Sequence, residues 1–203
     1  MVAILTGDIV HSRSVAAKTW LAALKNALVK IGEKANWEIF RGDSFQIQST
    51  PQEALIQAIF LKASIKAIKG LDVRIALGIG EIEFSAKKIT ESNGEAFINS
   101  GEKLDELKEN RLLMAIKSPW PEFDYEMNVA IRLALIAMDN WSQASAEMIK
   151  LSIEKSGISQ LELAELSGKS QSTVSEALKR ARFAEILELD GLYRKKISGL
   201  IKS

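Results

Sequence analysis

Two aspartates carry the chemistry this sequence suggests first. Asp8 ends an apolar, strand-like run in AILTGDIV, and Asp43 lies at the tip of WEIFRGDSFQIQS. In the second stretch the alternating runs Glu38–Arg41 and Ser44–Gln48 flank Gly42-Asp43, a pattern that predicts a tight hairpin. If the Asp8 strand lies beside that hairpin, both carboxylates meet at one sheet edge. Two hard oxygen ligands there suit Mg²⁺ or Mn²⁺ holding a nucleoside triphosphate. His11, Ser12 and Arg13 follow Asp8 at a predicted helix start, where backbone amides and Arg13 can meet phosphate oxygens. Ser12, Arg13, Arg41 and Gly42 are the candidate phosphate contacts, although Arg41 and Arg74 read most simply as surface side chains. Each acid alone has a plainer reading, Asp43 as a turn residue and Asp8 as a cap. Their pairing is what points to a site.

A second pattern lies near the C-terminus, in QLELAELSGKSQSTVSEALK. Leu163 and Ala164 fall mid-helix, Gly168 stands where a tight turn needs positive φ, and Val174 and Leu178 return to the core. Ser170 caps a second helix that turns Gln171, Ser172, Thr173, Ser175, Glu176, Lys179 and Arg180 outward. This spacing predicts a helix-turn-helix at about 160–180, with its second helix in a DNA major groove. Small polar side chains from Ser170 to Ser175 would reach base edges or phosphates, and Lys179, Arg180 and Arg182 would neutralise phosphates.

The elements that must position these groups follow from periodicity. Val2–Leu5 reads as a strand, and residues 14–34 as an amphipathic helix. The hairpin follows, then a helix from Pro51, capped by Thr50, to Lys69. Leu71–Phe84 is β-rich, with Gly78 and Gly80 marking a close backbone approach or a bulge. Glu95–Lys108 reads as a helix and Arg111–Ile116 as a last strand. This order predicts an α+β fold, a ferredoxin-like or palm sheet with helices packed on one face, over about residues 1–118. Pro119-Trp120-Pro121 reads as a boundary, beyond which residues 124–203 form an all-α domain. Tyr125–Asn140 is apolar enough to suggest a subunit contact, which a homodimer reading a palindromic site would need. In the final stretch, LELDGLYR fits either a wing hairpin or a last helix capped by Asp190, and the apolar spacing favours the helix.

Composition narrows the chemistry. With 27 basic and 26 acidic residues among 203, nucleic-acid binding must come from a local patch. Cysteine is absent and His11 is the only histidine, so thiol nucleophiles, cysteine-ligated zinc and multi-histidine metal sites are excluded. No apolar run reaches membrane-span length and MVAILTGDIV lacks the basic start of a signal peptide, which makes the cytoplasm the expected location.

AILTGDIVHSRS, RGDSFQ, VRIALGIGEIE and SNGEAFINSGEKLDELK, in that order over about the first 116 residues, resemble the SatD family. That family's first motif usually carries Gly where this chain has His11. More distantly, the strand ending in Asp-Ile, the Gly-Asp hairpin and VRIALGIGE are similar to class III nucleotidyl cyclases. That resemblance implies metal ligands at Asp8 and Asp43, a backbone carbonyl ligand at Ile9, and attack of a ribose 3′-hydroxyl on an α-phosphate. Departures limit it. The cyclase catalytic Asn and Arg positions fall on Ile98 and Glu102, a one-residue shift recovering only Asn99 and Lys103, and the adenine-reading Lys falls on Ile39. Glu cannot stabilise phosphate charge. The sequence thus predicts a ligand-sensing DNA-binding regulator that binds a nucleotide without turning it over. A metal-dependent nucleotidyl cyclase and a degenerate palm used only for dimerisation are the alternatives.

Overall fold

The computed structural model describes residues 1–33 and 36–202. In chain order the elements are β1 (Val2–Val10), α1 (Ala17–Ile31), β2 (Trp37–Phe40), β3 (Ser44–Ser49), α2 (Ala54–Lys66), β4 (Asp72–Gly80), α3 (Glu95–Glu109), β5 (Met114–Lys117), α4 (Pro121–Met138), α5 (Gln143–Glu154), α6 (Gln160–Ser167), α7 (Gln171–Arg180) and α8 (Phe183–Lys202). The expected end of the first helix at Lys34, and Ser203 at the end of the expected all-α domain, lie outside the described residues. The fold is α+β, with a five-stranded mixed sheet in the order β2-β3-β1-β4-β5. β1 is central and antiparallel to both β3 and β4, while β4 and β5 run parallel.

Several expectations need correction. β1 does not stop before Asp8 but pairs on through Val10, because Val73 and Asp72 of β4 extend its ladder. The hairpin loop takes three residues, Arg41 to Asp43, since Phe40 pairs with Ser44 and Arg41 itself adopts positive φ (49°). Thr50 caps only a turn, and α2 begins at Ala54. Ser12, Arg13 and Ser14 form a short 3₁₀ turn rather than an α-helix start, with His11 at φ 62° just before it. Asp190 lies inside α8, so it caps nothing and no wing hairpin forms.

The helices are not confined to one face. Side chains alternate across a strand, and Ala3 and Leu5 of β1 join the main core while Ile4 packs with Ala96 and Phe97 of α3. Ala76 of β4 and Ala115 of β5 likewise meet Leu104 and Leu107 of α3. Thus α3 covers one face and α1 and α2 the other. Gly78 makes this possible: a Cβ there would stand 2.3 Å from the Ala96 carbonyl oxygen and the Ser100 nitrogen.

α2 is sandwiched. Ten of its thirteen residues are buried, between the sheet on one side and α5 and α8 on the other. One hydrophobic core therefore runs across the Pro119–Pro121 stretch, joining Leu5 and Ile59 to Ile131, Ile149 and Tyr193. Pro121 itself opens α4, where its missing N–H costs no helix bond. The same junction buries charge. Lys62 of α2 is fully buried and bonds Asp72 at 2.8 Å and Asp139 at 2.7 Å, and Lys66 adds a 3.0 Å bond to Asp72.

Candidate functional site

The strand register brings Asp8 and the hairpin loop together. Asp8 pairs with Ser44 across β1 and β3, and the Ile9 N–H donates to the Asp43 carbonyl at 3.1 Å. Neither carboxylate is idle. Arg74, opposite Asp8 on β4, donates to both of its oxygens at 2.9 and 3.2 Å. Lys108 of α3 stands 3.8 Å from the same group. Asp43 accepts a 2.6 Å bond from the Ser12 hydroxyl. Arg74 also reaches the Leu112 carbonyl at 3.3 Å, which fixes its guanidinium between β4 and the approach to β5.

A divalent cation at Asp8 would have to displace Arg74 and sit beside two like charges. Among the described residues there is no group of three or more His, Asp or Glu side chains able to hold a metal. As arranged, Asp8, Ile9 and Asp43 do not fit the metal pair that the cyclase resemblance implies. Asn99 and Lys103 are engaged as well: Asn99 donates to the Ile79 carbonyl at 2.8 Å, tying α3 to β4, and Lys103 pairs with Glu106. Ile98 is exposed and Glu102 pairs with Lys117.

The register also exposes a polar lane that sequence reading alone did not reveal. Thr6 and Gln46 are direct cross-strand partners, and Gln46 in turn faces Glu38. The Gln46 amide donates to the Thr6 hydroxyl at 3.0 Å, and that hydroxyl is 2.9 Å from Ser100 of α3. Thr90, in a 3₁₀ turn, donates to Glu38. Because α3 lies over β4, β5 and β1, Ser44, Gln46 and Gln48 of β3 remain half-exposed beside Asp8. Lys108 stands by Asp8 at one end of this lane, and Arg13 and Arg41 are exposed in the turns that follow β1 and β2, with Gly42 (φ 94°) in the hairpin loop. The only signal in the sequence was the two-residue period of Thr6–Asp8 and Ser44–Gln48.

The second candidate site is built by α5, α6 and α7. Ser159 and Glu162 form a capping box at the start of α6, and the Ser159 bonds hold the Glu162 carboxyl below its ordinary range. Gly168 ends α6 at φ 63°. Ser170 caps α7 by accepting the Thr173 N–H at 3.2 Å, and its hydroxyl lies 2.9 Å from that of Ser172. Val174 and Ala177 pack with Leu163, Ala164 and Met148 in a small separate core. That packing turns Gln171, Ser172, Thr173, Lys179 and Arg180 into solvent, with Ser175 half-buried and Arg182 exposed beyond the helix end. Arg180 makes only a 4.0 Å contact with Glu176, and Arg182 pairs with Glu185 at 3.5 Å. Two buried bonds fix α7 against the rest of the chain. Ser145 donates to the Ala177 carbonyl and Trp141 to the Ala181 carbonyl, both at 3.0 Å.

No protein-family model, curated protein or solved structure matches the chain. Among the described residues, no helix is long and apolar enough to cross a membrane.

Proposed function

We propose that this protein is a DNA-binding regulator in which α7 enters the major groove and the polar lane of the sheet takes a nucleotide. The observation that carries the reading is the division of α7. Its apolar residues are spent on α5 and α6, while Gln171, Ser172, Thr173, Lys179 and Arg180 stay exposed on the other side. Small hydroxyl and amide side chains at the start of a helix, followed by cations at its end, suit base edges and flanking phosphates. At the sheet, Arg13, Arg41 and Lys108 would meet the phosphates, and half-exposed Gln46 and Gln48 offer donors and acceptors to a base or sugar. Communication would run through α2 and α5, since α2 touches the sheet and α5 holds the Ala177 carbonyl. A ligand shifts DNA affinity only if it binds the two arrangements of α7 unequally.

The test is fluorescence anisotropy with a labelled duplex from about 50 to about 200 mM salt. Wild-type protein should bind with a steep salt dependence, and Lys179→Ala with Arg180→Ala should lower the log–log slope by about 2. Absence of duplex binding at about 50 mM salt would overturn the DNA reading. Nucleoside triphosphates that leave duplex affinity unchanged would overturn the coupling.

A further inference from the structure

α4 and α8 leave a long apolar surface open along their seam. A groove of about 1060 Å³ lies between Trp120, Phe123 and Leu200, and a second of about 620 Å³ between Ala134 and Leu189. The two share Leu192, so the surface is continuous. Beside it, Tyr125, Leu133 and Ile136 of α4 are 72%, 64% and 69% exposed. With half-buried Val129 they form one stripe at steps of four, four and three residues along a helix about 27 Å long. Exposed apolar side chains occurring singly need no explanation, but a stripe beside a matching groove does.

The charges around this surface identify the occupant. Glu122 and Arg132 on α4, and Glu188 and Lys195 on α8, are exposed and without an ion-pair partner among the described residues. Lys202 at the end of α8 is likewise exposed and unpaired among the described residues, so each helix carries free charge of both signs. An anionic surface would meet Glu122 and Glu188, and a neutral apolar partner would leave these charges beside a dry contact. A copy of the same surface supplies an apolar stripe beside the groove and free charges of both signs to set against these, as a two-fold self-contact requires. We infer that α4 and α8 form an isologous interface with a second copy of this chain. The inference does not depend on the DNA reading, because the contact forms without nucleic acid.

The test is sedimentation equilibrium of the full chain, without DNA, from about 1 to about 100 µM. Twice the chain mass is expected by about 10 µM. Leu133→Glu with Ile136→Glu should weaken association by at least ~100-fold. The thermal melt of this variant at concentrations where both proteins are single chains should be unchanged, since both side chains are exposed. Arg132→Glu alone should weaken association by about 10-fold. A wild-type chain that stays at single mass at about 100 µM overturns the inference. So does single-mass protein that adsorbs to neutral phospholipid vesicles, which would make the surface a membrane contact. A double variant that remains fully dimeric also overturns it, because the contact then lies elsewhere.

Discussion

The sheet end around Asp8 and the outer face of α7 use charge in opposite ways. At the sheet end the carboxylates are spent on the fold. Asp8 is locked by Arg74, Asp43 by Ser12, and nearby Asp72 by Lys62 and Lys66. On α7, Lys179 makes no ion pair among the described residues and Arg180 only the loose contact to Glu176. Charges already paired are costly to recruit for a ligand, while free ones are screened by salt and available to a polyanion. On the proposed reading, DNA affinity would rest on α7, and the sheet end would take a more selective role through its half-exposed polar lane.

Substitutions that enter the packed side should be the most damaging. Gly78→Ala would push α3 off β4 and lower unfolding free energy by about 3 kcal/mol, measured by urea denaturation. Lys62→Met should cost a similar amount, about 3 kcal/mol, because it leaves Asp72 and Asp139 short of a buried partner. Arg74→Gln should cost about 1.5 kcal/mol, between the values for exposed and buried pairs. This variant sharpens the comparison in another way: with Asp8 released, Mn²⁺ should raise the melting temperature of Arg74→Gln while leaving wild type unchanged. Lys179→Ala with Arg180→Ala should change stability by no more than about 0.5 kcal/mol while weakening DNA binding. If that pair proved as destabilising as Gly78→Ala, the division between the two faces would be lost.

The smallest expected effect is a pH dependence near the α4 start. Burial pushes the Asp124 carboxyl up, against the lowering effect of its bonds from Ser118. The folded protein then holds that proton to a higher pH than the unfolded chain does. Stability from this group should therefore fall as pH rises from the ordinary aspartate range through the raised folded value. Asp124→Asn should remove this slope, read from urea midpoints at successive pH values.

Much of the architecture was legible because local chemistry dictates it. Gly168 and Ser170 announced the α6–α7 turn, and Gly78 a close backbone approach or a bulge, of which the structure shows the approach. The strand that bears Asp8 was correctly placed beside the hairpin. What escaped the sequence depends on contacts between distant residues. Arg74 reads as a surface residue until the β1–β4 register sets it opposite Asp8. Lys62 is buried because α5 and α8 cover the far side of α2, a contact between distant residues that no local pattern shows. The placement of α3 on the opposite face was not visible because Glu95–Glu109 is amphipathic and would suit either side of the sheet.

The measurement closest to the central claim is selection of duplexes from sheared genomic DNA by the full chain, followed by sequencing. It should be repeated with Gln171→Ala, Thr173→Ala and Arg180→Ala combined. A short recurrent sequence should be retained at about 150 mM salt, favoured over bulk DNA by at least ~1,000-fold and lost in the variant. Uniform retention of all fragments, or the same enrichment by the variant, would contradict the assignment of α7 as the element that reads DNA.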